Sequence, residues 1–202
     1  MASSSKYEQI KKDFLSGRIK GCKSFFEKNN CFVEAGYCNI ILDNIKDANE
    51  DFNKAMSDNI RAHWAKVLIQ MITGQISSAP TYFEIRNFLE IDLSILITYC
   101  KGDYVEKIIR YADFMAFYNM ECYKFIGRVF WAHNFMPAAM FFLERAKEKL
   151  YKDPELHYLL AYIYYDKQKN IKDAKKELDI CLDILPEYAP AVNLLKVINN
   201  LK

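Results

Sequence analysis

Residues 121–146 read ECYKFIGRVFWAHNFMPAAMFFLERA, and residues 156–181 read LHYLLAYIYYDKQKNIKDAKKELDIC. The second stretch repeats the side-chain pattern of the first about 35 residues later, and a period of this length indicates a repeat architecture. Aromatic, aliphatic and small residues recur at matched positions. The matched pairs are Tyr123 and Tyr158, Ile126 and Ala161, Gly127 and Tyr162, Phe130 and Tyr165, Ala139 and Ala174, Leu143 and Leu178, and Ala146 and Cys181.

The rest of the chain has the composition of a helical protein with a large core. Of 202 residues, 51% are hydrophobic and 15% aromatic, whereas Gly and Pro number only 6 and 5. Apolar residues recur with helical spacing almost throughout, and no segment is long enough to be a linker between domains. We therefore predict an all-α fold with a single domain over residues 6–202, and residues 1–5 as a flexible start or an expression remnant.

Charge and hydropathy exclude several classes of function. The chain has 28 Lys and Arg against 26 Asp and Glu, and this balance argues against a protein that neutralises many phosphates, so no nucleic-acid partner is expected. No apolar run approaches the roughly 18–20 residues of a membrane span, and no secretory signal precedes the first helix. We therefore expect a cytoplasmic protein in which the six cysteines are reduced.

The middle of the chain is the least regular part. The segment Gln75 to Pro80 has loop chemistry, and Pro80-Thr81 is a suitable helix start. Beyond it we predict two helices, over Thr81 to Leu89 and Ile91 to Cys100, and then a single helix over Tyr104 to Phe117. The last predicted helix covers Pro190 to Asn199.

The matched pattern names a family. Tyr123-x-x-Ile126-Gly127-x-x-Phe130, followed by Ala139-x-x-x-Leu143-x-x-Ala146, resembles a tetratricopeptide repeat. Gly127 and Ala139 are small because the two helices of such a repeat approach closely there. The best copies cover about 120–152 and 155–188. Weaker copies cover about 29–60 and 61–92, and a degenerate copy covers about 91–117.

This resemblance implies a right-handed superhelical stack of antiparallel helix pairs, a tetratricopeptide-like α-solenoid closed by a C-terminal capping helix. Such stacks bind a peptide or a helix in a concave groove lined by the first helix of each pair. The family's geometry gives the candidate groove residues Tyr37, Ile69, Tyr99, Glu121, Lys124, Arg128, Trp131, Leu159, Ile163 and Asp166. The implied function is a non-catalytic protein–protein interaction module, acting as a scaffold, an adaptor or a chaperone-like protein.

The candidate groove is mostly apolar, and this favours one kind of partner. Lys124 and Arg128 form its only basic pair, so a clamp for a carboxylate is less favoured than a site for an apolar segment or an amphipathic helix. Two other interpretations stay open. The chain's own terminal helices could cover part of the apolar set, or the same surface could pair two copies as a homodimer.

No catalytic signature accompanies the repeats. His63, His133 and His157 have no partners at metal-ligand spacing on their own helices, and there is no glycine-rich phosphate loop. We therefore predict that the chain is not an enzyme and has no catalytic, cofactor-binding or metal-binding residues. A minor alternative is a repeat domain appended to an enzyme.

Overall fold

The computed structural model describes residues 4–55 and 57–200, and every regular element in these residues is an α-helix. The predicted all-α class is confirmed. The chain divides into two compact units, an N-terminal unit (Met1–Asn119) and a C-terminal unit (Met120–Lys202). Each unit has a hydrophobic core of its own. The single repeat domain over 6–202 stays a prediction.

The N-terminal unit is a series of helices in which each packs mainly on its neighbours in the chain. Consecutive packing runs from α1 to α6, and α7 packs on both α5 and α6. The helices are α1 (Ser4–Leu15), α2 (Ile19–Lys28), α3 (Phe32–Ile41), α4 (Ile45–Lys54), α5 (Ile60–Thr73), α6 (Tyr82–Thr98), α7 (Gly102–Ile109) and α8 (Ala112–Tyr118). This consecutive packing is compatible with a helical repeat.

The C-terminal unit consists of two helix pairs and a final helix. The pairs are α9 (Cys122–Ala132) with α10 (Met136–Lys149), and α11 (Pro154–Asp166) with α12 (Ile171–Ile184). The helix predicted at the end is present as α13 (Ala189–Asn199), which packs on α12 and α11. Its Ala191 joins Ala161, Ala174 and Cys181 in the core, where small side chains allow the helices to approach.

Two glycines show that the helices of the pairs α3–α4 and α9–α10 approach closely at equivalent positions. A Cβ atom on Gly127 would lie 2.7 Å from Leu143 Cγ, and one on Gly36 would overlap the ring of Phe52. Both contacts join a glycine of the first helix to the equivalent large residue of the second. The predicted close approach at Gly127 is therefore present, and Leu143 rather than Ala139 is the nearest neighbour.

The predicted helix boundary near residue 90 is wrong. Helix α6 continues from Tyr82 to Thr98 without a break. Its start is held by a capping box, in which the Thr81 hydroxyl accepts from the Glu84 amide and the Glu84 carboxylate accepts from the Thr81 amide. Asp92 does not end the helix, because buried donors from two other helices satisfy its carboxylate. The two predicted helices over Thr81–Leu89 and Ile91–Cys100 are one element.

The single helix predicted over Tyr104 to Phe117 is also wrong. It is divided into α7 and α8 by a tight turn at Arg110 and Tyr111, in which the Tyr111 amide donates to the Ile108 carbonyl. This hydrogen bond joins residues three apart, as in a 3₁₀ turn, which is tighter than an α-helical turn and ends the regular helix. No Gly or Pro stands at the turn, so the local sequence contains no breaker that would predict it.

A buried histidine ties together three segments of the C-terminal unit. His157 on α11 is fully buried, with Nδ1 2.6 Å from a Glu177 carboxylate oxygen and Nε2 2.8 Å from the Tyr151 carbonyl. Both partners are acceptors, so both ring nitrogens must donate, which requires the charged imidazolium. Burial opposes this charge and Lys147 disfavours it, but the bonds to Glu177 and Tyr151 outweigh them and raise the pKa of His157.

We expect the C-terminal unit to lose stability as the pH rises above about 6.5, the ordinary pKa of histidine. Because the folded-state pKa of His157 is raised, its contribution is fully present below pH 6.5 and is lost as the pH passes the folded-state value. Urea unfolding between about pH 6 and 8.5, followed by tryptophan fluorescence in a Trp64→Phe background that leaves Trp131 as the reporter, measures this slope. His157→Gln, which has no ionisable group, should flatten it, and an equal slope in both proteins would contradict the assignment.

Candidate binding pocket

The N-terminal unit contains an open pocket of about 440 Å³. It lies between α1, α2, α3, α5 and α6, and its surface is almost wholly apolar. The apolar lining residues are Phe14, Leu15, Phe26, Tyr37, Ile91 and Ile95. A volume of this size and an apolar lining with few polar groups are typical of ligand-binding sites.

The pocket leads from an exposed rim to a buried floor. Leu15 and Ile91 lie at the rim with 78% and 52% of their surfaces exposed, whereas Phe26 and Tyr37 are buried. Leu15 is the last residue of α1, and Ile91 and Ile95 occupy one face of α6 a single turn apart. An apolar group that entered the pocket would therefore bury rim side chains that water contacts in the free protein.

Arg61, one of the polar lining residues of the pocket, forms an ion pair with the buried carboxylate of Asp92. Asp92 is 1% exposed and accepts from Trp64 Nε1 at 2.6 Å, from the Tyr37 hydroxyl at 2.9 Å and from Arg61 Nη2. The Arg61 guanidinium lies 4.5 Å from the ring centres of both Tyr37 and Phe88. These contacts hold Arg61 in one orientation and neutralise its charge, because Asp92 has the opposite sign.

Two polar groups beside the pocket are incompletely paired. Arg61 Nη1 is buried and has no acceptor. Glu34 accepts a hydrogen bond from the Tyr7 hydroxyl, but within residues 4–55 and 57–200 no cationic side chain forms an ion pair with it. Lys11, also in the lining, lies 3.3 Å from Glu8. Glu34 is therefore a lining carboxylate that forms no ion pair within the described residues.

The three groove candidates of the N-terminal unit have different environments. Tyr37 lines the pocket, and its hydroxyl is held by Asp92. Ile69 is buried in the core. Tyr99 is half-buried, donates to the Phe14 carbonyl and packs edge-on against the Phe14 ring at 5.6 Å. Of the three, Tyr37 is the one that lies where an occupant of the pocket would contact it.

The basic pair of the C-terminal unit is engaged by acidic side chains. Lys124 is 4% exposed and donates to Asp153 at 2.6 Å, to Glu121 at 3.0 Å and to Glu155 at 3.3 Å. Arg128 donates to the same Glu155 at 3.0 Å. Burial opposes the charge of Lys124, but the bonds to Asp153 and Glu121 raise its pKa. The structure thus brings Glu121, Lys124 and Arg128 into one cluster of ion pairs with Asp153 and Glu155.

The remaining candidates of the C-terminal unit pack within it. Leu159 and Ile163 are buried on α11. Trp131 is half-buried and meets the ring of Tyr162 edge-on at 5.7 Å. Asp166, at the end of α11, forms an ion pair with Lys167 at 3.0 Å. A partner-binding role for these four residues stays a prediction.

The sequence-based groove omitted most of the pocket. Phe14 and Leu15 lie on α1, which was assigned to no repeat, so the family's geometry placed nothing there. Ile91 and Ile95 lie in the predicted helix over Ile91 to Cys100, and their spacing of four residues is the available signal for a shared face. Arg61 gave no signal, because its position beside the pocket depends on a contact with Asp92 about thirty residues away.

Metal-ligand geometry, helix hydropathy and the comparisons with known proteins add limits to this description. Among residues 4–55 and 57–200, no group of three or more His, Cys, Asp and Glu side chains is arranged to hold a metal ion. In the same residues no helix has the length and apolar character needed to cross a membrane. Comparisons of the chain with protein families, curated proteins and solved structures found no match.

Proposed function

We propose that this chain is a non-catalytic protein–protein interaction module that binds an apolar segment or an amphipathic helix of a partner protein. The observation that supports the proposal is the open apolar pocket of the N-terminal unit, with Leu15 and Ile91 exposed at its rim. Binding modules commonly take an apolar side chain of a helix into such a site. The proposed role is that of a scaffold, an adaptor or a chaperone-like protein.

We further propose that the helix pairs form a tetratricopeptide-like right-handed stack. The equivalent contacts of Gly36 with Phe52 and of Gly127 with Leu143 support this proposal, because they repeat one close helix approach in both units. Matched histidines give further support. His63 and His157 stand before Trp64 and Tyr158, and each lies 2.6 Å from a glutamate of the following helix.

The exposed side chains at the rim allow an estimate of the binding free energy that the pocket contributes. Burying an exposed aliphatic side chain contributes up to about 1.5–3 kcal/mol. Replacing Leu15 and Ile91 together by Ser should therefore weaken a pocket-dependent interaction at least about tenfold, which corresponds to 1.4 kcal/mol. Both side chains are exposed, so the substitutions should leave folding intact.

A displayed library of random peptides of about 16 residues, long enough for four helical turns, supplies the binding partners. Peptides selected on the wild-type chain are synthesised, and their dissociation constants are measured for wild type, for Leu15→Ser/Ile91→Ser and for a control. The control is Ile60→Ser/Leu185→Ser, which replaces two exposed aliphatic residues outside the pocket lining. Weaker binding by the pocket variant alone supports the proposal, whereas equal binding by all three proteins contradicts it.

A further inference from the structure

Resting on the proposed function, we propose that the pocket of the N-terminal unit selects a basic amphipathic helix. The apolar anchor of this helix enters between α1 and α6, and a Lys or Arg about one turn away pairs with Glu34 at the rim. The proposal names the partner by its chemistry: an apolar side chain next to a positive charge on the same helical face.

The charges around the pocket carry this inference. Arg61 forms an ion pair with the buried Asp92, and Lys11 forms an exposed ion pair with Glu8 while its ammonium lies 4.8 Å from the centre of the Tyr7 ring. Of the three charged lining residues, Lys11, Glu34 and Arg61, Glu34 is the one that forms no ion pair within the part of the chain that the structure describes. A positive side chain from the partner would supply an ion pair to Glu34 in a site that an apolar anchor had partly cleared of water, where ion pairs are less screened.

The partner of Glu34 within the chain does not remove its charge. Burial, the hydrogen bond to Glu34 and the charge of Glu34 all raise the pKa of Tyr7, so its hydroxyl remains a neutral donor. The bond orients one carboxylate oxygen and leaves the second available to a cation. Glu34 is therefore a preoriented acceptor at the edge of an apolar site.

The same arrangement disfavours an acidic partner. A carboxylate at the rim would lie near Glu34, and the nearby guanidinium is already committed to Asp92. Like charges placed together across an interface weaken binding and give specificity against the wrong partner. The pocket should consequently discriminate between helices that share an apolar anchor and differ only in the sign of the neighbouring charge.

A charge reversal tests this inference directly. The random peptide library is selected on wild type, on Glu34→Lys and on Glu50→Lys, a control that reverses an exposed acid of α4 outside the pocket lining. Binders of wild type and of the control should be enriched in Lys and Arg three or four residues from the apolar anchor. Binders of Glu34→Lys should be enriched in Asp and Glu at those positions.

Synthetic peptides then measure the effect on affinity. Changing the basic residue of a wild-type binder to Glu should weaken binding to wild type about tenfold and restore it on Glu34→Lys. Glu34→Gln, which keeps an acceptor for Tyr7 and removes the charge, should bind both peptides alike. Circular dichroism of each variant verifies folding.

The outcomes separate the inference from the function on which it rests. Binders that require Leu15 and Ile91 but show no basic enrichment, or an enrichment unchanged by Glu34→Lys, overturn the inference and leave the interaction module in place. A selection that yields no pocket-dependent binder overturns both. The mass of the protein in solution supplies a further outcome. If this mass increases with protein concentration and Leu15→Ser/Ile91→Ser abolishes the increase, the occupant of the pocket is a second copy of the chain, and the inference is overturned.

Discussion

Replacing Asp92 by Ala should lower the free energy of unfolding of the N-terminal unit by about 3–5 kcal/mol, the range for removing one partner of a buried ion pair. The substitution leaves the Arg61 guanidinium enclosed by Tyr37 and Phe88 without its counter-charge. It also removes the acceptor of the Trp64 indole and of the Tyr37 hydroxyl. Each buried donor left without an acceptor adds its own desolvation penalty.

Urea unfolding followed by circular dichroism measures the loss, and a Trp131→Phe background leaves Trp64 as the tryptophan reporter of the N-terminal unit. The matched control is Asp47→Ala on α4, whose side chain is 56% exposed and 4.0 Å from Lys23. Exposed pairs contribute at most about 1 kcal/mol, so the control should be nearly neutral. Similar losses for Asp92→Ala and Asp47→Ala would show that the carboxylate of Asp92 is not the centre of this network.

The same substitution, Gly to Ala, should have opposite effects at different helical glycines. Gly36→Ala and Gly127→Ala should each lower the free energy of unfolding by about 1–2 kcal/mol, because the new methyl group overpacks against Phe52 or Leu143. The expected loss is a net value, because the overpacking is partly offset by the gain of about 1 kcal/mol that Ala has over Gly in a helix. At Gly127 the Leu143 backbone nitrogen would also lie 3.2 Å from the new atom, so a side-chain rotation alone does not relieve the contact.

Gly21 provides the matched control on α2. A Cβ atom there would meet nothing within 4 Å, so Gly21→Ala should raise the free energy of unfolding by up to about 1 kcal/mol through helix propensity alone. Thermal and urea unfolding of the three variants compare the signs. A stabilising effect at Gly36 or Gly127 would mean that the helix crossing is looser than the structure shows.

The pairing of helices was predictable because it leaves a local signal. Gly127 on α9 and Ala139 on α10 are small residues of two paired helices, and Gly36 and Ala48 recur at the matching positions of α3 and α4, so the pattern can be read without any knowledge of distant contacts. The continuity of α6 was not predictable in this way. In the sequence, Asp92 interrupts an apolar run and favours a helix end. In the structure, three donors from α3 and α5 form hydrogen bonds with its carboxylate, so the helix continues.

The pocket could not be predicted from a sequence pattern. Its rim combines the end of α1 with the middle of α6, and no periodicity relates Leu15 to Ile91. The groove set contains Lys124 and Arg128 because the geometry of the family assigns their positions to the concave face. Two of their carboxylate partners, Asp153 and Glu155, lie at the start of α11, and such partners are determined by packing between helices rather than by local spacing.

The distribution of thiols has a practical consequence for following the pocket by spectroscopy. Cys100, in the left-handed turn after α6, is the exposed cysteine of the six. Burial raises the pKa of Cys38 to about 12 and that of Cys181 to about 11, so their thiolates are scarce near neutral pH. A maleimide dye should therefore attach first at Cys100, at the end of the helix that carries Ile91 and Ile95, without any engineered labelling position.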